Sequence, residues 1–155
     1  MERKRPDNTK FVEHLNFAPH PYDMSGFQLV AEFVDGENVF EDFPDNENLY
    51  YIYAIQMGDH LYVGSSAELR KRIYAHNSTA RAGKHQSPRF QTAYNWAQGF
   101  KAYLLMKCVR GVGREHEYAE QLMIRTLQPS LNDSLPRGKY LSDSVWSVEI
   151  NVKEE

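Results

Sequence analysis

Two tyrosines on a predicted hairpin, and an arginine and a histidine four residues apart, have side chains of types that do chemistry. Tyr53 belongs to the run Tyr50-Tyr51-Ile52-Tyr53-Ala54-Ile55, and Tyr62 follows after the turn residues Met57-Gly58-Asp59. Arg72 stands ten positions past Tyr62, and His76 four residues further on, which puts both on one face of a helix. An unperturbed phenol has a pKa near 10, so about one in a thousand is ionised at neutral pH, and a nearby cation favours the phenolate. A guanidinium grips phosphate through its planar fork, and an imidazole binds phosphate or relays a proton. Such a set suits proton transfer beside a bound phosphate.

The distribution of charge points the same way. The 155-residue chain carries a formal charge of −3, but residues 11 to 66 hold ten acidic side chains and no Lys or Arg. Residues 67 to 107 hold eight basic side chains against Glu68 alone. That stretch includes Arg70, Lys71, Arg72, Arg81, Lys84 and Arg89, interleaved with Tyr74, Phe90, Tyr94 and Trp96, the make-up of a surface that follows a phosphate backbone. The acidic stretch from Glu32 to Glu47 reads as a solubilising arm, with cover of the basic face as the alternative.

The elements that must position these residues follow from local pattern. The aromatic and β-branched run from Leu49, the turn at Met57-Gly58-Asp59 and the run His60-Leu61-Tyr62-Val63 predict a hairpin whose second strand ends at Gly64. Ser65-Ser66-Ala67-Glu68 has the S-x-x-E form of a capping box, and a helix carrying Leu69, Ile73 and His76 follows, before a loop from Asn77 to Gln86. Ser87 and Pro88 open a second helix that stops near Gly99. Ala102 to Val109 predicts a central strand, and Arg114 to Leu127 a helix that Pro129 ends. Residues 145 to 152 alternate as an edge strand would. The expected fold class is α/β: a small three-stranded antiparallel sheet flanked by helices over residues 49–133, an acidic extension over 1–48 with one strand or short helix, and a tail over 134–155.

Several chemistries are excluded. His116-Glu117 begins a zincin motif, but Glu120 stands where the second histidine is needed. Gly111-Val112-Gly113 is a turn and not a dinucleotide loop. Cys108 has no intramolecular disulfide partner, and a mean hydropathy of −0.65 without an apolar span predicts a cytoplasmic protein that does not enter membranes. His14, His20, His60 and His116 receive no role.

The remaining constellation resembles the GIY-YIG nuclease family. Tyr51-Ile52-Tyr53, then Tyr62-Val63-Gly64-Ser65-Ser66 with Arg72 and His76, form the upstream half of the likeness. Glu120-Gln121-Leu122-Met123-Ile124, with Pro129 nine and Asn132 twelve positions after Glu120, form the downstream half. His85, Ser87 and Asn95 are similar to the intervening segment of phage homing nucleases. Tyr51 stands where the family carries its first glycine, and the short stretch after Asn132 resembles small phage and restriction-type members, for which a homodimer is one arrangement.

The resemblance implies a metal-dependent endonuclease that hydrolyses DNA. In that reading Tyr53 activates the water and Tyr62 assists it, or the reverse. Arg72 stabilises the scissile phosphate, and His76 binds phosphate or relays a proton. Glu120 holds one magnesium ion, with manganese as a substitute, and Asn132 orients the site. Gly64 allows close backbone approach, and with Arg70, Lys71, Arg81, Lys84, His85 and Arg89 it forms the nucleic-acid-binding set. The alternatives are a nuclease of the same fold acting on RNA and a nucleic-acid-binding module without turnover.

Overall fold

The computed structural model describes residues 22–45, 48–109 and 114–132. Their strands are β1 (Gln28–Val34), β2 (Glu37–Glu41), β3 (Leu49–Met57), β4 (His60–Ser66) and β5 (Gly99–Val109). Their helices are α1 (Leu69–Arg81), α2 (Pro88–Ala97) and α3 (Glu115–Leu127). The strands form one antiparallel sheet in the order β2-β1-β5-β3-β4.

This is an α/β fold with helices on both faces, but the sheet has five strands and not three. The two additional strands come from the acidic segment. Asp35 and Gly36 both adopt positive φ, 53° and 78°, and form the two-residue turn that closes β1 onto β2. β1 pairs with β5 from Gln28 against Leu104 to Val34 against Gly99, which makes β5 the central strand, as its apolar run predicts.

Continuous apolar sequence explains why β3 and β5 lie inside the sheet. Tyr51 to Ile55 are all buried, with alternate side chains feeding opposite faces. Tyr51, Tyr53, Ile55 and Leu104 pack with Leu69 and Ile73 of α1 and Phe90 and Tyr94 of α2. Ile52, Ala54, Leu61, Val63 and Leu105 pack beneath Ala119, Met123 and Ile124 of α3. The hydroxyl of Tyr51 donates to the Asp45 carbonyl at 2.9 Å, so this tyrosine ties β3 to the acidic segment.

Three local expectations need correction. β4 runs through Gly64 to Ser66. α1 begins at Leu69 without a side-chain cap from Ser65, because that hydroxyl is used elsewhere. α1 also continues through Asn77 to Arg81, where local pattern predicts a loop. Asn77 is buried there, donating to the Gly36 carbonyl and accepting from Tyr94, so tertiary contacts offset its weak helix propensity. Gly83, at φ 78°, ends the helix. The expected edge strand over 145–152 and the turn at Gly111-Val112-Gly113 lie outside the described residues. Among those residues, no helix is long and apolar enough to cross a membrane.

Candidate active site

The hairpin sets the two tyrosines. Tyr53 pairs with Gly64 across β3 and β4, which leaves Tyr62 on its diagonal and on the same face, with ring centroids 6.4 Å apart. Pairing of β3 with β5 slips at Ile52/Tyr53, an irregularity beside the first of these side chains. Tyr53 is 1% exposed, and a Cβ on Gly64 would lie 2.6 Å from its hydroxyl oxygen. The role of Gly64 is therefore to make room for Tyr53. Because Tyr53 is held on every side, Gly64→Ala should cost about 1 to 3 kcal/mol of stability and reduce activity. Urea unfolding and a cleavage assay check this, and a variant unchanged in both would contradict the contact.

Around the half-buried Tyr62 opens a cleft of about 610 Å³. Its walls include Arg72 and His76 from α1, Lys84 to Ser87 from the loop after it, Glu120 from α3, and Asn132. Residues far apart in sequence thus converge. Tyr53 is not among the lining residues, and among the described residues its hydroxyl reaches only His76 Nε2, at 2.7 Å. Burial first, then the neighbouring Tyr62, raises its pKa well above the ordinary 10. Tyr53 is thus closed off from the cleft, and of the two tyrosines whose roles the sequence leaves exchangeable it is Tyr62 that faces it.

His76 Nδ1 lies 2.8 Å from His85 Nε2, and both rings stack near Phe90. Burial, then electrostatic interaction with His85 and with the Arg72 guanidinium, lowers the His76 pKa to about 3. His76 is therefore neutral at physiological pH. The Arg72 guanidinium is exposed and makes no hydrogen bond or ion pair among the described residues. Its charge nonetheless acts on Tyr53, His76 and Glu120 together.

Glu120 is half-buried on α3, and Ser65 Oγ donates to its Oε1 at 2.6 Å. Burial raises its pKa, and the Ser65 hydrogen bond offsets part of that rise. It forms no ion pair among the described residues, where no cluster of three His, Cys, Asp or Glu side chains suits a metal either. One desolvated carboxylate without a cation, opening on a cleft with room for water, fits a hard divalent ion that keeps most of its water shell. It does not fit a structural zinc site.

Asn132 is committed to the backbone. Its Oδ1 accepts from Val63 N and its Nδ2 donates to Val63 O, both at 2.9 Å. Leu131 N donates to Leu61 O at 2.9 Å, so residues 130–132 lie along the free edge of β4. Arg89 Nη1 donates to the carbonyls of Ser130 and Asn132 at 3.4 and 2.9 Å. Arg89 thus fastens this segment, and Asn132 holds it to β4 at Val63, next to Tyr62.

The remaining basic residues divide into two groups. Lys84 and His85 line the cleft with Arg72. Arg70 pairs with Glu41 at 3.2 Å and covers the Tyr74 ring, Arg81 pairs with Glu37 at 3.1 Å, and Lys71 lies 3.6 Å from Glu68. The acidic segment therefore covers part of the basic helix and is not a loose solubilising arm. β1 is bonded to β5, so this cover belongs to the sheet and point substitutions probe it without removing strands. Glu37→Gln with Glu41→Gln should raise nucleic-acid affinity by about threefold to tenfold at low salt. Asp59→Asn with Glu115→Gln, equal in charge, should raise it less. Fluorescence anisotropy distinguishes the pairs, and equal gains would show a net-charge effect only.

Phe90 and Tyr94, expected on a surface that follows a phosphate backbone, are buried in the core instead, and Phe90, Ser65, the Ser87 amide and Gln91 support the site through contacts that the sequence pattern does not give. Ser65 has the spacing of a cap, and the others act through contacts that local spacing does not encode. Gln91 Oε1 accepts from His85 N at 2.9 Å while its Nε2 donates to Ala80 O, which ties the His85 loop to the end of α1.

No curated protein and no solved structure matches the sequence. A family model described as the GIY-YIG catalytic domain matches residues 49–132, from the start of β3 to the asparagine beside β4. That span holds both tyrosines, Arg72, both cleft histidines and Glu120, and the chain belongs to the GIY-YIG family of nucleases, which act on nucleic acid and generally use divalent metal ions.

Proposed function

We propose that the protein is a magnesium-dependent endonuclease that hydrolyses DNA phosphodiesters, with Tyr62 as the group that takes the proton from the attacking water. The observation that carries this reading is the convergence of Tyr62, Arg72, His76 and Glu120 on one cleft. Arg72 binds the scissile phosphate through two parallel N–H donors and favours the phenolate of Tyr62 by its charge. The water oxygen bonds to phosphorus, and its proton passes to the Tyr62 oxygen. The bond from phosphorus to the leaving sugar oxygen breaks, the electron pair stays on that oxygen, and solvent water protonates it. Lys84 adds charge on the substrate backbone without reading sequence. A divalent ion at Glu120 supplies, when bound, Lewis-acid stabilisation of phosphoryl and leaving-group charge.

The choice of DNA over RNA is tested by matched deoxy- and ribo-oligonucleotides, single- and double-stranded, each with magnesium, manganese or chelator. Preferential metal-dependent cutting of DNA supports the reading. Cutting of RNA alone moves the substrate, and no cutting of any substrate by folded protein leaves a binding module.

A further inference from the structure

The hydrogen bonds behind the cleft have a direction that a single main-chain group determines. Ser87 N lies 3.0 Å from His85 Nδ1. A main-chain amide only donates, so His85 Nδ1 carries no proton and the proton of the neutral ring is on Nε2. At 2.8 Å that Nε2–H donates to His76 Nδ1. His76 then carries its own proton on Nε2 and donates at 2.7 Å to the Tyr53 hydroxyl oxygen. The hydroxyl hydrogen of Tyr53 must therefore point away from His76.

That hydrogen has no acceptor among the described residues, although Tyr53 is 1% exposed. Buried donors are almost always paired, and one left open at a reactive site calls for an explanation. The surroundings supply a direction. Beside the hydroxyl lie Gly64, which has no side chain to block it, and the Tyr62 ring, whose Cε2 is 3.1 Å from the position a Gly64 Cβ would take and whose centroid is 5.3 Å from that of His76. The rings that fix the chain cannot turn easily. Phe90 stacks on His85 at 3.9 Å with 6° between planes and on His76 at 5.1 Å, and Gln91 holds the His85 amide.

We propose that the Ser87 amide, His85 and His76 form a one-way donor chain that turns the Tyr53 hydroxyl toward Tyr62, where it donates to the Tyr62 oxygen when that oxygen has lost its proton. Tyr53, His76 and His85 are then positioning residues, and none of them takes the proton from water. This inference rests on the nuclease reading for the identity of the reacting tyrosine, but the direction of the chain does not. Burial of His76, which lowers its pKa to about 3, agrees with a neutral ring.

Nitrogen-15 NMR of the histidine rings in the full chain tests the direction without any activity, with His76→Gln and His85→Gln used for assignment. Both rings should be neutral at pH 7, each with a protonated Nε2 and a bare Nδ1. Protonation of Nδ1 on either ring, alone or together with Nε2, would overturn the chain. Tyr53→Phe keeps the ring and removes the oxygen, and it should lower kcat about a hundredfold with KM unchanged and shift the His76 Nε2 signal. Wild-type turnover in that variant would overturn the donor role of Tyr53. If the variant does not fold, the tautomers of the wild-type chain decide. The expected tautomers in a protein that cuts nothing would defeat the nuclease reading and leave the direction standing.

Discussion

Glu120→Gln should abolish cleavage, by at least about a thousandfold, while nucleic-acid binding and fold are retained. Glutamine keeps the size of the side chain and the carbonyl that accepts from Ser65 Oγ, so the link between α3 and the end of β4 survives. What disappears is the charge that draws a divalent ion. The stability effect has a definite sign. Burial raises the Glu120 pKa, which means the ionised carboxylate is less comfortable in the folded protein than in the unfolded chain. A neutral isostere should therefore melt at the same temperature or higher. Plasmid cleavage, a gel-shift titration and a thermal melt measure the three quantities. Full cleavage by a folded Glu120→Gln protein would remove the carboxylate from the reaction, and loss of binding together with cleavage would make it a structural residue.

Arg72 should be the next most sensitive position. Arg72→Ala is expected to lower kcat about a hundredfold to ten-thousandfold, and Arg72→Lys should recover little of it, because an ammonium cannot present two parallel donors to one phosphate. The side chain is exposed and makes no ion pair among the described residues, so its removal should leave stability within about 0.5 kcal/mol. Binding should weaken modestly, and the slope of log affinity against log salt should fall by about one phosphate contact. Single-turnover rates and salt titrations of the two variants separate these effects. A lysine variant with wild-type rate would reduce Arg72 to a general source of positive charge.

Much of the site is legible in the sequence because β3, β4, β5 and the helices announce themselves locally. The run around Tyr53, the turn at Gly58 and the 72/76 spacing place four candidate side chains, Tyr53, Tyr62, Arg72 and His76, by local pattern. The identity of the tyrosine that faces the cleft is not legible. Both alternate correctly on the hairpin, and only tertiary packing, with His76 against the Tyr53 ring in the core, distinguishes the buried tyrosine from the one at the cleft. Ser65 illustrates the same limit. Its S-x-x-E spacing reads as a cap, yet a carboxylate 55 residues away takes its hydroxyl. The basic patch is legible as charge but not as function, since Arg70, Arg81 and Arg89 are engaged by groups between 29 and 45 residues distant. The β1–β2 hairpin does leave a signal in Asp35-Gly36 between two apolar runs, which the many acids and prolines of that segment obscure.

One cleft, with Glu120 as its metal-holding carboxylate, is expected to hydrolyse a nucleic-acid backbone. The most direct test is supercoiled plasmid incubated with the full chain in magnesium or in chelator, beside Glu120→Gln at equal concentration. Nicked and linear products with magnesium alone, and none from the variant, are the predicted result. Equal cutting in chelator, or by the variant, would contradict it.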